Sequence, residues 1–288
     1  MGKYKIKIGI IAGCGLDKSF KEDLTYFSKI EREDATNEYG LPSSSLYTGT
    51  ISGVDVVLLI RHGSGYKVSA TDVNYRANIE AFRVVGCTHI LATTACGSLV
   101  KLFSKEQLVI PDSFIDRTVH RKGTFYDGTS KYYSGICNLP MEPSFDPHTS
   151  QIVENAAKKL EISIKKGATI VAIEGPRFSS KAESYMFRQW GGHLINMTTC
   201  PEVFLAKEAG ILYTSIAMVT DYDCGSDDIA DNVHPVDVFN VFKRNINKIK
   251  SVLIQTIELI SQEDWDQRID DLKVFYIDLV KSSVTLSS

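Results

Sequence analysis

Three blocks in one stretch decide the fold: IEGPRFSSKAES (173–184), INMTTCPEVFLAKEAGI (195–211) and SIAMVTDYDC (215–224). In order they spell a small-residue loop (Glu174–Phe178), a helix, and a strand ending in Asn196-Met197-Thr198. A second helix follows, then a strand ending in Thr220-Asp221-Tyr222-Asp223. Polar groups collect where apolar strands stop, the place in an α/β sheet where free backbone groups and helix N-termini meet ligands. Ser180 and Glu183 form a capping box for the first helix. Thr199-Cys200-Pro201-Glu202 reads as a second one, with proline at the first helical position, and Gly210 is placed to end that helix at C′. The mostly apolar run Ile211–Val219 reads as a buried strand. Asp221 and Asp223, two apart in an extended chain, project to the same side. They repel each other unless a ligand lies between them.

Outward from this stretch the same alternation holds. Ile6–Ala12 is an apolar strand followed by the turn Gly13-Cys14-Gly15. A dinucleotide fingerprint would need a third glycine where Lys18 stands, and a P-loop would need Gly-Lys-Ser/Thr where the chain reads Leu16-Asp17-Lys18-Ser19. What survives is a glycine turn whose N–H groups can cradle an anion. Val54–Ile60 is the next strand and ends in Arg61-His62-Gly63, a planar fork of donors suited to phosphate. Asp72–Val85 reads as a helix and Thr88–Ala95 as a strand that runs into Thr93-Thr94-Ala95-Cys96-Gly97-Ser98. Leu108–Ile115 is another strand. Asp116–Pro147 has little regular pattern but many aromatics, glycines and prolines, as in loops that are functional or packed against a partner. Thr149–Leu160 is an amphipathic helix and Ala168–Ile173 a strand. Phe239, Phe242, Ile246, Ile249, Leu253, Ile257 and Ile260 step by three or four along a long helix. The expected fold is α/β: one domain over residues 1–288, a three-layer α/β/α sandwich around a mixed, partly barrel-like sheet.

Composition excludes several classes. Of 288 residues 43% are apolar and 23% charged, ordinary for a globular chain, and the net charge of -3 without basic clusters speaks against nucleic-acid or membrane-surface binding. No apolar run approaches the roughly 20 residues of a membrane span. The N-terminus, MGKYKIKIGII, enters a strand without a cleavage site, so the cytoplasm is the expected compartment. The six cysteines form no C-x-x-C pair and no metal spacing with the six histidines. No metal site or cofactor is expected.

The three blocks resemble the 5′-methylthioadenosine phosphorylases, in the trimeric branch of the purine nucleoside phosphorylase family, and the resemblance runs from IKIGIIAG near the start to about Ile260. It implies phosphorolysis of a purine nucleoside, with inorganic phosphate as co-substrate and a homotrimer as the working form. It places Cys14, Arg61, His62, Thr94, Ala95 and Thr198 on phosphate, Met197 under the ribose, and Phe178 in the substrate site. Asp221 faces N7 and N6 of adenine and serves the leaving base, and Asp223 accepts from N6. Ser179, Val236 and Phe239 shape the base and 5′ pocket. The family usually has threonine or serine where Cys14 stands, and often a histidine of a neighbouring subunit where Asn138 stands. The segment Leu272–Leu286 also reaches toward the 5′ pocket. A carboxylate accepts from a 6-amino group but repels a 6-oxo group, so Asp221 favours adenine nucleosides over inosine and guanosine, whose phosphorylases carry asparagine there. An inosine/guanosine phosphorylase on the same fold, a non-catalytic nucleoside-binding protein and a nicotinamide-dependent oxidoreductase are the competing readings.

Overall fold

The computed structural model describes residues 2–13, 25–224 and 234–273. Cys14 and Gly15, and nearly all of the C-terminal segment expected near the 5′ pocket, lie outside them. The chain begins with β1 (Lys7–Ala12), β2 (Thr25–Ile30), β3 (Leu46–Ile51), β4 (Val54–Ile60), α1 (Tyr75–Val84), β5 (His89–Ser98) and β6 (Leu108–Arg117). After a long connection come α2 (Pro147–Lys159), β7 (Ile164–Ile173), α3 (Lys181–Gln189), β8 (Leu194–Asn196), α4 (Thr199–Glu208), β9 (Leu212–Tyr222) and α5 (Pro235–Ile260). The sequence reading passes over β2 and β3, which extend one edge of the sheet as an antiparallel meander beyond β4.

The described strands form one mixed sheet in the order β2-β3-β4-β1-β5-β8-β7-β6-β9, and β9 also pairs with β5. That extra pairing closes the last five strands into a ring. The β1–β4, β1–β5, β5–β9 and β6–β7 pairs are parallel, whereas β5–β8 and β6–β9 are antiparallel. Helices cover both faces. Ile79 and Phe82 of α1 and Val203 and Leu205 of α4 belong to one fully buried cluster. Val153 and Ala157 of α2 pack with Leu253 and Ile257 of α5 in the other. This is the three-layer arrangement with a partly closed sheet that the strand–helix alternation predicts.

Local signals explain most boundaries. The Ser180–Glu183 capping box forms, with both reciprocal bonds present. Gly210 closes α4 with a positive φ of 69°, its N–H on the Lys207 carbonyl and the Ile211 N–H on the Ala206 carbonyl. The second expected capping box does not form. Thr198 is the N-cap without a side-chain bond, Cys200 is extended (φ −102°, ψ 134°), and Glu202 turns inward instead. The connection 118–146 contains neither helix nor strand, yet it buries Phe125, Tyr133 and Phe145 in this chain's own core. No helix among the described residues is long and apolar enough to cross a membrane.

Candidate active site

A cavity of about 270 Å³ opens where β1, β4, β5, β8 and β9 end. Gly13, Arg61, His62, Thr94, Ala95 and Thr198 line one end of it. Arg61 is fully buried: Nε and Nη2 each lie 2.8 Å from a Glu202 carboxylate oxygen, and Nη1 lies 2.8 Å from the Thr93 carbonyl. A guanidinium has five N–H groups, so among the described residues two remain for a ligand. Glu202 also accepts from the Tyr213 hydroxyl at 2.7 Å. The Asn196 amide donates to the Thr94 and Thr199 hydroxyls at 2.9 and 2.8 Å, and the Thr94 and Thr198 hydroxyls sit 3.2 Å apart. His62 Nδ1 lies 3.0 Å from the Val68 carbonyl and must therefore carry the hydrogen. Burial and the Arg61 charge hold the imidazole down to about 4, so it is neutral at pH 7 and presents Nε2 as an acceptor. It suits a protonated phosphate oxygen and not a bare one.

The other end is built by an irregularity in β9. Cys96 pairs with Val219 but Gly97 with Asp221, so Thr220 is an extra residue. Such a bulge re-aims side chains, and the neighbours Thr220 and Asp221 both line the cavity, together with Asp223. Both aspartates are buried. The Thr220 hydroxyl donates to Asp221 Oδ2 at 2.7 Å, while Asp223 Oδ2 has no hydrogen-bond partner among the described residues. Burial pushes both carboxyls up, Asp223 to about 6 with the Asp221 charge adding to the rise. A Cβ at Gly97 would sit 2.9 Å from Asp221 Oδ1 and 3.1 Å from Ile195, so only glycine leaves a flat slot before the carboxylates. Likewise a Cβ at Gly175 would come within 2.7 Å of the Met197 sulfur. Met197, Phe178, Ser179 and Phe239 complete the lining. The result is an apolar slot with anion donors at one end and two buried carboxylates at the other.

The sequence profile of the phosphorylase superfamily matches residues 7–258. The chain belongs to this superfamily. It is 50% identical over 268 residues to the S-methyl-5′-thioadenosine phosphorylase of Drosophila melanogaster, covering 93% of this chain and 91% of that protein. It is 48% identical over 265 residues to that of Danio rerio, covering 92% of each. Among solved structures, the methylthioadenosine phosphorylase from Schistosoma mansoni in complex with adenine superposes with a TM-score of 0.88 at 36% identity, over 97% of this chain and 99% of that one. A mutant of the Schistosoma mansoni adenosine/methylthioadenosine phosphorylase in complex with methylthioadenosine superposes at 0.86, also at 36% identity, over 97% and 98%.

Within this phosphorylase framework one expected position falls elsewhere. Val236 is 56% exposed on the first turn of α5 and off the cavity, and Val238 lines it instead. Asn138 lies in a separate, shallow cavity beside Cys137 and Glu208, so within one chain it does not reach the slot. Glu202 and Tyr66 escape the sequence reading. Tyr66 packs on the His62 ring at 4.5 Å and edge-on to Phe239 at 5.1 Å, tying the two ends of the site. Glu202 did leave a signal. It sits in a helix beside the apolar Val203, Leu205 and Ala206, and a carboxylate buried in such a helix must find hydrogen-bond donors.

Proposed function

We propose that the protein cleaves 5′-methylthioadenosine, and adenosine as a second substrate, by phosphorolysis to adenine and the ribose 1-phosphate. The observation that carries this reading is the buried, unpartnered Asp223 oxygen beside Asp221 at the closed end of an apolar slot. The unpartnered Asp223 oxygen requires a donor on the ligand edge, which the 6-amino group of adenine supplies and a 6-oxo group does not. The methylthioadenosine and adenine complexes of the Schistosoma mansoni relatives support the same choice.

In the proposed reaction a phosphate oxygen, held by Arg61, Thr94, Thr198 and the backbone at Ala95, bonds to C1′ as the C1′–N9 bond breaks. The electron pair of that bond passes to the base. Asp221, whose carboxyl burial favours the protonated form, hydrogen-bonds or protonates N7 as negative charge grows there. Asp223 accepts from N6. Met197 is the apolar floor under the ribose. Positioning and electrostatics supply the rate, and neither a covalent enzyme intermediate nor a metal has a step to perform.

Phosphate is then a substrate and not an effector. Release of free adenine from a nucleoside panel should be strictly phosphate-dependent, insensitive to chelators, and fastest with methylthioadenosine and adenosine. Comparable turnover of inosine, or hydrolysis in phosphate-free buffer, would overturn the reading.

The pH profile follows from Asp223. The ionised carboxyl accepts from N6 most strongly; protonation leaves only a weaker carbonyl acceptor and adds an O–H that opposes the amino group. kcat/KM for methylthioadenosine reports the free enzyme, and it should fall about tenfold per pH unit below about 6. Asp223→Asn should abolish that limb. A profile flat from pH 5 to 7 would remove Asp223 from base recognition.

We further propose a homotrimer in which segment 118–146 of one subunit approaches the slot of the next. Val119, Tyr132 and Ile136 of this segment are largely exposed in the single chain, and Asn138 lines a cavity other than its own chain's slot. Sedimentation should give a species of three chains, and a fully active monomer would refute it.

A further inference from the structure

Segment 118–146 sends one side chain behind the cavity and onto two of the segments that build it. The Arg121 side chain is 3% exposed and does not line the slot. Its Nε donates to Glu174 Oε1 at 2.9 Å and its Nη2 to the Glu174 carbonyl at 2.6 Å. Nη1 lies 2.7 Å from the Met197 carbonyl oxygen, 2.6 Å from that of Cys200 and 3.0 Å from the Tyr75 hydroxyl. The Glu174 carboxylate also accepts the N–H groups of Val119 and His120, which holds the turn that carries Arg121. Burial works against its charge, but these donors and Arg121 outweigh it and keep the carboxyl below its ordinary value. An ionised Glu174 therefore balances the guanidinium.

The carbonyls of Met197 and Cys200 bracket Thr198. The Met197–Thr198 peptide is trans and planar, so a carbonyl held toward Arg121 sends the Thr198 N–H the opposite way. A carbonyl bonded to a cation is also polarised, which makes its N–H a better donor. We infer that Arg121 is a positioning residue for the anion end of the site. It fixes Met197–Cys200, so that Thr198 presents its N–H and hydroxyl at one angle and Met197 stays flat under the ribose. Through Glu174 it sets the loop before Phe178 in the same register. A lysine could balance Glu174 but, as a point charge without the planar fork, could not span the same set of oxygens. The inference takes phosphate as the anion and so rests on the proposed phosphorolysis.

The test compares Arg121→Lys with the unaltered protein in three readouts: the rise in thermal midpoint caused by inorganic phosphate, the KM for phosphate with kcat, and the affinity for adenine alone. A misplacement of the order of 1 Å can cost about 10²-fold. The variant should therefore bind phosphate about tenfold or more weakly and lose kcat, with adenine affinity within about twofold. Unchanged phosphate binding in a folded variant overturns the inference, and so does an equal loss for phosphate and adenine, the mark of a merely structural role. Should Arg121→Lys fail to fold, Tyr75→Phe decides. It removes the hydroxyl beside Arg121 and the Met197 carbonyl, and one hydrogen bond predicts a rise of about two- to tenfold in phosphate KM; no rise overturns the inference. If the unaltered protein binds phosphate but cleaves no nucleoside, the substrate reading fails while the phosphate-binding comparison still decides the role of Arg121.

Discussion

Replacing Asp221 by asparagine should lower kcat/KM for methylthioadenosine by about 10²–10⁴-fold, the usual worth of a positioned acid or base. The amide keeps the shape and can still accept from the Thr220 hydroxyl, which is 2.7 Å from Oδ2 in the native protein. It cannot give a proton to N7. Its NH₂ can donate to a 6-oxo group, so activity toward inosine should rise, by about two- to tenfold if one hydrogen bond is gained. Stability separates this loss from misfolding. A carboxyl whose folded value is raised penalises the ionised folded state above that value, and burial raises Asp221. The uncharged variant should therefore be no less stable than the native protein at pH 8. Near-native turnover of methylthioadenosine, with inosine still inert, would remove Asp221 from the chemistry.

Glu202→Ala should be the most destabilising single change near the site. Arg61 and Glu202 are 2% and 1% exposed and bond through two oxygens. Removing one partner of a buried ion pair strands the other charge, at a cost of about 3–5 kcal/mol. The urea midpoint should drop accordingly. The phosphate KM should rise as well, because the freed guanidinium no longer holds its two remaining N–H groups toward the slot. Glu202→Gln should be milder, since its carbonyl still accepts one Arg61 bond. A Glu202→Ala protein with native stability and unchanged phosphate KM would show that the pair neither supports the core nor orients Arg61.

Much of the architecture was legible because its causes are local. The Ser180–Glu183 box, the C′ glycine at Gly210 and the apolar runs of β1, β4 and β9 each depend on residues within a few positions of one another, and the structure keeps them all. The same local grammar misled at Thr199–Glu202. The spacing of a capping box is there, but Glu202 finds a better partner in Arg61, 141 residues away, and Cys200 is extended. β2 and β3 left too little contrast to be recognised, and they are defined by their pairing with β4. Val236 and Val238 differ by two positions on a helix, a rotation of about 200°, so without the helix's exact orientation the choice between them could not be made.

The amino-acid order by itself determined that strands and helices alternate, that polar residues gather at strand ends, and that two aspartates stand two apart at one of those ends. Periodicity and capping are short-range effects, and the chain carries them wherever it is placed. Only the tertiary structure decided that β9 returns to β5 and closes the ring, and that a bulge at Thr220 turns Asp221 into the slot. It alone brought Arg61 onto Glu202 and set Arg121 behind Met197 and Cys200. Those contacts join residues 76 to 141 positions apart. They are enforced by the cost of leaving buried charges and carbonyls without partners, a demand that exists only once the chain has folded around them.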